Sequence, residues 1–293
     1  MWQTYERPDS VEEALTLLTE YDGRAQIIAG GTDLIIELQE GKHSVECLVD
    51  VTRIPGLDRI ERQDDWIVLG ANVTFRQLKE SPLIQDQARV LAEAAGTVGA
   101  FQIQTMATLA GNVVSALPAA DGCVALTTLD AEALIADASG ETWRPLGELF
   151  LGPGKSAVDP HRQFVTAFRF PVAGARQGSA WERIGRRRAL VLPILNCGVY
   201  LALDNEGQTI EWARIGLGPV APVPFRARKT EAFLQGRPAN EETFALAGEV
   251  VTTEAQPRTS LLRASREYRL KVLPVLLRQA LTRATEQARQ RSG

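Results

Sequence analysis

The chain has 293 residues, of which 45% are hydrophobic and 23% charged, an ordinary globular composition with room for about two domains. A net charge of −4 argues against nucleic-acid binding, which normally carries a basic footprint. No apolar run reaches the length of a membrane span, and Met1-Trp2-Gln3-Thr4-Tyr5-Glu6 lacks the basic and apolar regions of a signal peptide, so the expectation is no membrane insertion and a cytoplasmic location.

Ser10 and Glu13 occupy the cap and third position of a capping box, and Val11, Ala14, Leu15 and Leu18 then form one apolar helical stripe. A short strand at Ile27-Ile28 runs into Ala29-Gly30-Gly31-Thr32-Asp33, followed by a helix from Leu34 to Gln39 and a strand at Leu48-Val49-Asp50-Val51, a βαβ-like unit. Adjacent glycines at a strand-to-helix junction permit positive φ and close approach of a ligand, with free N–H groups facing an anion. Such a pair alone is more often an ordinary turn than an anion site.

A strand at Trp66-Ile67-Val68-Leu69-Gly70 leads to Thr74, which caps a helix to about Glu80, and a longer helix covers 85–98 with Ala88, Leu91, Ala92 and Ala95 on one face. A second turn, Thr108-Leu109-Ala110-Gly111-Asn112, follows, and Asp121 is placed to cap the apolar segment 123–129. Leu134-Ile135-Ala136 and Thr142-Trp143-Arg144 form a hairpin around Ser139-Gly140, and Phe164, Thr166, Phe168 and Phe170 alternate along a strand that stops at Pro171. In the loop Leu151-Gly152-Pro153-Gly154-Lys155-Ser156, Lys155 either meets an anion or is solvated.

The small-residue stretch 172–178 reads as a linker. It separates a first domain, 1–173 (subdomains about 1–55 and 56–173), from a second, 178–282. Strands at 199–203 and 210–217 pair around Asn205-Glu206-Gly207, and Asn240-Glu241-Glu242 opens a helix with its acids at the favourable end of the dipole. A last helix over 268–281 is expected to kink or break at Pro274, with a solvated, frayed arginine-rich tail after Arg283, and Arg186-Arg187-Arg188 reads as a solvated loop.

Cys47, Cys123 and Cys197 have no C-x-x-C spacing and read as buried free thiols, while His43 and His161 sit in polar loops without a partner. No metal site and no catalytic triad is expected from them.

Neither glycine turn matches G-x-G-x-x-G, and no G-x-x-x-x-G-K-[ST] is present. Two strand-to-helix turns from separate subdomains suit a ligand with a pyrophosphate in its middle. The succession of Ala29-Gly30-Gly31-Thr32-Asp33-Leu34, Gln102 to Asn112, Pro118-Ala119-Ala120-Asp121, Leu129-Asp130-Ala131, Gly152-Pro153-Gly154-Lys155, Arg214-Ile215-Gly216-Leu217-Gly218 and Ser265-Arg266-Glu267-Tyr268-Arg269 resembles the FAD-binding subunit of molybdenum hydroxylases. That is the family of xanthine dehydrogenase and carbon monoxide dehydrogenase medium subunits.

The resemblance implies an α+β fold: an FAD-binding domain of vanillyl-alcohol-oxidase (PCMH) type made of two α/β subdomains, plus a C-terminal domain with a three-stranded antiparallel sheet and helices. It implies that FAD lies in the cleft between them, its pyrophosphate held through backbone N–H groups by Ala29, Gly30, Gly31, Thr32, Asp33 and Leu34 on one side and by Thr108, Gly111 and Asn112 on the other. Asp121 corresponds to an acidic contact and Val114 to an apolar one. Ala157 and Val158 align with residues lining the adenine or flavin region, and Arg183 with a basic residue near the flavin. Ala110 stands where many relatives have glycine, and Gln104 and Thr105 where many have arginine and asparagine.

Neither turn contains histidine or cysteine, so attachment of FAD is expected to be non-covalent. The resemblance further implies partners, a molybdenum-cofactor large subunit and a 2Fe-2S small subunit, in a dimer of heterotrimers. Electrons would pass from the clusters through FAD to an acceptor such as NAD, with no catalytic acid or base on this chain. The alternative is a stand-alone non-covalent flavin oxidoreductase of the same fold.

Overall fold

A computed structural model describes residues 2–187 and 189–291. The first unit runs β1 (Thr4–Glu6), α1 (Val11–Glu20), β2 (Ala25–Ile28), α2 (Leu34–Gln39) and β3 (Cys47–Asp50), and its parallel sheet has the order β1-β3-β2. Ser10 caps α1 by accepting from Glu13 N, and Ala14 and Leu18 of the expected stripe are buried against β2 and β3.

The second unit contains β4 (Ile60–Gln63), β5 (Trp66–Gly70), α3 (Phe75–Glu80), α4 (Pro82–Gln87), α5 (Arg89–Thr97), α6 (Phe101–Met106), α7 (Leu109–Val114) and α8 (Asp121–Thr128). It continues with β6 (Glu132–Asp137), β7 (Gly140–Pro145), a small hairpin of β8 (Phe150–Gly152) and β9 (Lys155–Ser156), and β10 (Phe164–Pro171). Its five-stranded antiparallel sheet has the order β4-β5-β10-β6-β7, and Phe168 and Phe170 of β10 are fully buried against the helices.

The helix expected over 85–98 is two helices. Ala88 separates them with φ −146° and ψ 61°. No local residue caps α5; instead Val90 N donates to Ser179 Oγ at 3.1 Å, a partner far away in the chain. A break satisfied only by tertiary contact leaves no mark on the helical period.

The C-terminal domain comprises β11 (Gln177–Ile184), β12 (Leu195–Leu203), β13 (Ile210–Gly218), β14 (Phe225–Arg226), α9 (Arg228–Leu234), α10 (Glu241–Glu254) and α11 (Arg266–Gln290). Its antiparallel sheet has four strands, β11-β12-β13-β14, rather than the expected three. The extra edge strand is two residues long and pairs Arg226 with Gly216 and Phe225 with Leu217, too short for any alternation to show.

The expected frayed tail is also absent, because α11 continues through Pro274 to Gln290. Arg283 donates to Trp181 O and Glu182 Oε1 at 2.8 Å and pairs with Glu93 of α5. Arg289 donates to Gly207 O and Ala239 O at 3.0 Å, and Arg291 binds Asp86. Within the linker expected at 172–178, Gly178 already belongs to β11. A Cβ there would come within 2.1 Å of Ala284 O, so the missing side chain lets α11 lie directly on the sheet.

Helix α8 is wedged against the C-terminal sheet in the same way: a Cβ on Gly198 or Gly216 would come within 2.4 or 2.3 Å of Thr128 Oγ1. The three cysteines are buried and free as expected. Among the described residues no helix is long and apolar enough to cross a membrane.

Candidate functional site

The first glycine turn joins β2 to α2. None of the backbone N–H groups of residues 29–34 donates to another described residue, and the first internal bonds are Ile35 N to Gly31 O and Glu37 N to Asp33 O. Gly31 has φ +65°, the left-handed region that glycine adopts without cost. Gly30 serves a different purpose: a Cβ there would stand 1.9 Å from Met106 O, so the turn is pressed onto the end of α6. Asp33, which the sequence places at the start of α2, makes no side-chain cap bond there, and its Oδ2 lies 3.3 Å from Ser115 Oγ. The turn is thus a run of open donors locked against the second unit.

The second turn is wired differently. Leu109 N donates to Val73 O at 2.9 Å, Ala110 N to Ala71 O at 3.4 Å, Gly111 N to Thr108 Oγ1 at 3.2 Å and Asn112 N to Thr108 O at 3.1 Å. Thr108 is therefore the N-cap of α7. The two-sided backbone grip expected from sequence has open donors on one side, since the N–H groups of Gly111 and Asn112 are committed inside the protein. Ala110 is helical, with no positive φ, so the missing glycine of many relatives costs nothing at this position. Gln104, another departure, is 7% exposed and donates to Gly96 O and Val98 O, tying α6 to the end of α5.

Val114 is 38% exposed at the end of α7, whereas Asn112 turns toward α8, where a Cβ on Gly122 would be 2.6 Å from its Oδ1. The β8–β9 hairpin is held beside α7 by a bond from Gly154 N to Ala116 O. Beyond it Ala157 N donates to Leu149 O at 2.9 Å, and Val158 is buried in the core of the second unit. Lys155 is exposed, in line with the solvated reading.

Asp121 does not cap α8: it is the helix's first residue, and Ala120 before it makes no side-chain cap bond. Its carboxylate is buried at the contact with the C-terminal sheet, 3.3 Å from Arg183 Nε and 2.7 Å from Asn196 Nδ2. Arg183 and Asn196 are cross-strand partners on β11 and β12, which brings both to one point. Burial pushes the Asp121 carboxyl above its ordinary value, and Arg183 and Asn196 oppose that rise. Arg183 also donates to Val191 O, so it ties the segment after β11 to this cluster. Arg186 and Arg187 are exposed and donate to Leu262 O and Leu190 O, and Arg188 lies outside the described residues.

Two participants escaped the sequence reading. Asn196 carried a signal, an amide inside the apolar run Leu195 to Leu203, where asparagine is disfavoured. The Met106 carbonyl against Gly30 carried none, because only the meeting of two units creates that contact.

Comparison with known proteins decides the family. Residues 2–173 match the model of the FAD-binding domain in molybdopterin dehydrogenase, and residues 181–284 that of the CO dehydrogenase flavoprotein C-terminal domain. The chain belongs to this FAD-binding subunit family. It is 30% identical over 287 residues to a putative xanthine dehydrogenase FAD-binding subunit of Escherichia coli, covering 97% of both chains. It is 31% identical over 241 residues to the nicotinate dehydrogenase FAD-subunit of Eubacterium barkeri, 81% of each. Among solved structures, carbon monoxide dehydrogenase from Hydrogenophaga pseudoflava superposes with a TM-score of 0.91 at 26% identity and 98% coverage of both chains. The chain is thus a flavoprotein subunit of the xanthine and CO dehydrogenase-like oxidoreductases, and its FAD-binding domain implies FAD.

Proposed function

We propose that this chain is the FAD-carrying electron-transfer subunit of a molybdenum hydroxylase, receiving electrons from 2Fe-2S clusters on a partner subunit and delivering them to an external acceptor such as NAD. The observation that carries the reading is the turn at residues 29–34, whose N–H groups have no acceptor among the described residues and whose glycines are required by backbone geometry. Successive N–H groups at a strand-to-helix junction form a concavity that favours a phosphate. A pyrophosphate fits it, with Ala29, Gly30, Gly31, Thr32, Asp33 and Leu34 as its holders. Val114, exposed at the end of α7, and Thr108, the N-cap of that helix, belong to the second turn and are taken as its contacts with the cofactor. Asp121 and Arg183 act at the contact of the two domains, which we place at 1–173 and 178–282.

When bound, the flavin supplies the redox chemistry, and the chain supplies position and electrostatics. The chain needs no acid or base for that task. FAD is held non-covalently: the thiols of Cys47, Cys123 and Cys197 are buried and pushed up by burial, and the His161 ring is bonded to Ala25 O. Acid precipitation is therefore expected to release all yellow colour to the supernatant; a yellow pellet would contradict it. The relatives named as carbon monoxide dehydrogenase medium chains support large molybdenum and small iron–sulfur partners here, assembled as a dimer of heterotrimers. Affinity purification of the tagged chain from its native cells should bring down both, with molybdenum and iron detected by metal analysis. Recovery of the flavoprotein alone would favour the stand-alone flavin oxidoreductase instead.

A further inference from the structure

The arginine run after β11 and segment 255–266 meet on one surface. Arg186 Nη1 donates to Leu262 O at 3.0 Å, Arg187 Nε to Leu190 O at 3.1 Å, and Leu190 N to Gly99 O at 3.0 Å, two residues before Phe101. Segment 255–266 has a fixed shape of its own: Ser260 N donates to Ala264 O, Arg263 N to Ser260 O and Arg266 N to Thr259 Oγ1. These bonds hold apolar side chains out in solvent. Leu261 is wholly exposed, and Leu262, Leu190, Leu192 and Phe101 are each exposed by half or more. Apolar residues gathered on tied segments mark a contact surface, whereas single ones need no explanation.

The same surface is cationic. Neither 185–195 nor 255–266 contains an acidic residue, although the whole chain carries a net charge of −4. Among the described residues no carboxylate lies within ion-pair distance of Arg186, Arg187, Arg258, Arg263 or Arg266, whereas Arg183, Arg226 and Arg283 are all paired. A permanent subunit interface is apolar at its core and depleted in charge, because a buried guanidinium without a carboxylate loses its hydration uncompensated. Unpaired arginines around solvent-facing leucines suit a brief encounter instead, in which the charges steer an acidic partner and stay hydrated at the rim. The surface also adjoins the domain contact: Arg183, which meets Asp121, donates to Val191 O, between Leu190 and Leu192.

We propose that this surface docks a small acidic electron-carrier protein, with Leu190, Leu192, Leu261 and Leu262 at the centre of the contact and Arg186, Arg187, Arg258 and Arg266 steering the approach. This rests on FAD lying at the domain contact, and it adds a protein to the acceptors of that cofactor. Each oxidised carrier takes one electron, so two are reduced in turn for each reduced cofactor, and two protons pass to water.

The full-length FAD-loaded chain, photoreduced without oxygen, is mixed with oxidised cytochrome b5, an acidic one-electron probe, and separately with neutral benzoquinone. The rate of cytochrome b5 reduction is expected to fall about tenfold or more between about 10 mM and about 300 mM salt, while that of benzoquinone does not change. Arg186→Gln/Arg187→Gln should slow cytochrome b5 reduction about tenfold at low salt and flatten the salt dependence. Arg258→Gln/Arg266→Gln should do the same, and both of these arginines are exposed with no side-chain hydrogen bond among the described residues, so their loss leaves the loop intact. Leu261→Ser/Leu262→Ser should raise the carrier concentration needed for half-maximal rate and keep the salt dependence. Every variant should reduce benzoquinone at the wild-type rate. A cytochrome b5 rate indifferent to salt, or unchanged in both arginine variants, would overturn the proposal. So would sedimentation with phosphatidylserine vesicles, lost in the arginine variants, in a chain that does not reduce cytochrome b5, which would make the surface a membrane contact. A reduced chain that passes no electrons even to benzoquinone would sink the FAD reading itself, and this inference with it.

Discussion

A chain carrying Gly30→Ala is expected to purify almost free of flavin. The new Cβ would stand 1.9 Å from Met106 O, a backbone atom that has no rotamer to move into, so the turn must lift away from α6 and its N–H groups lose their common aim. Loss of two charge-assisted hydrogen bonds at about 1.5–3 kcal/mol each lowers FAD affinity roughly 100-fold or more. Gly31→Val should act through the backbone instead. At φ +65° a β-branched residue is strained by about 1–3 kcal/mol, and its Cβ would crowd Ile28 and Ile35 at 3.2 Å. Gly23→Ala is the control, since Gly23 has φ +81° with nothing within 4 Å of its Cβ position, and it should keep its flavin. The check is the ratio of flavin to protein absorbance and a titration of each apoprotein with FAD. Full occupancy in both turn variants would show that residues 29–34 do not hold the cofactor.

Asp121→Ala should cost about 3–5 kcal/mol of unfolding free energy, because it strands the Arg183 guanidinium, whose side chain is 7% exposed, in the domain contact. Arginine cannot shed its proton to escape. Asp121→Ala/Arg183→Met should recover most of the loss, since both charges then go together. The pair is asymmetric in a way that pH exposes. In Arg183→Met the buried carboxyl can take up a proton, and its folded-state pKa, already raised by burial, rises further above the unfolded value of about 3.9. The folded state then binds more protons than the unfolded one, so the stability of Arg183→Met falls as pH rises from about 4 through that folded-state value. Urea unfolding between pH 4 and pH 8 checks both statements. An Arg183→Met variant whose stability relative to wild type does not decline over that range would refute the assignment of Asp121 to a desolvated site.

What could be read in advance divides along the length of the interactions. Ser10, Thr74 and Asn240 are caps whose bonds reach three residues ahead, and the hairpin of β6 and β7 turns at Ser139-Gly140, so these elements were legible from local patterns. The break at Ala88 was not, because its compensating bond comes from Ser179. Strand β14 was not, because a two-residue edge strand exists only by pairing with β13. The arginines after Arg283 read as a solvated tail because charge in sequence defaults to solvent. The partners of Arg289 and Arg291, Gly207, Ala239 and Asp86, come from three different parts of the chain.

For the site, the sequence by itself determined the order of the turns and therefore the family, and it located the glycines at 30 and 31. Their spacing next to a strand and a helix is a local property, governed by which φ values a residue without Cβ can reach. Only the tertiary structure decided which turn keeps its donors open. Residues 29–34 find no acceptor, while Val73, Ala71 and Thr108 absorb the N–H groups of the second turn. It also decided that Asp121 is a buried partner of Arg183 and Asn196 rather than a helix cap. Whether an N–H or a carboxylate is free depends on what the rest of the chain brings within about 3 Å of it, and that is set by packing between units rather than by neighbours in sequence.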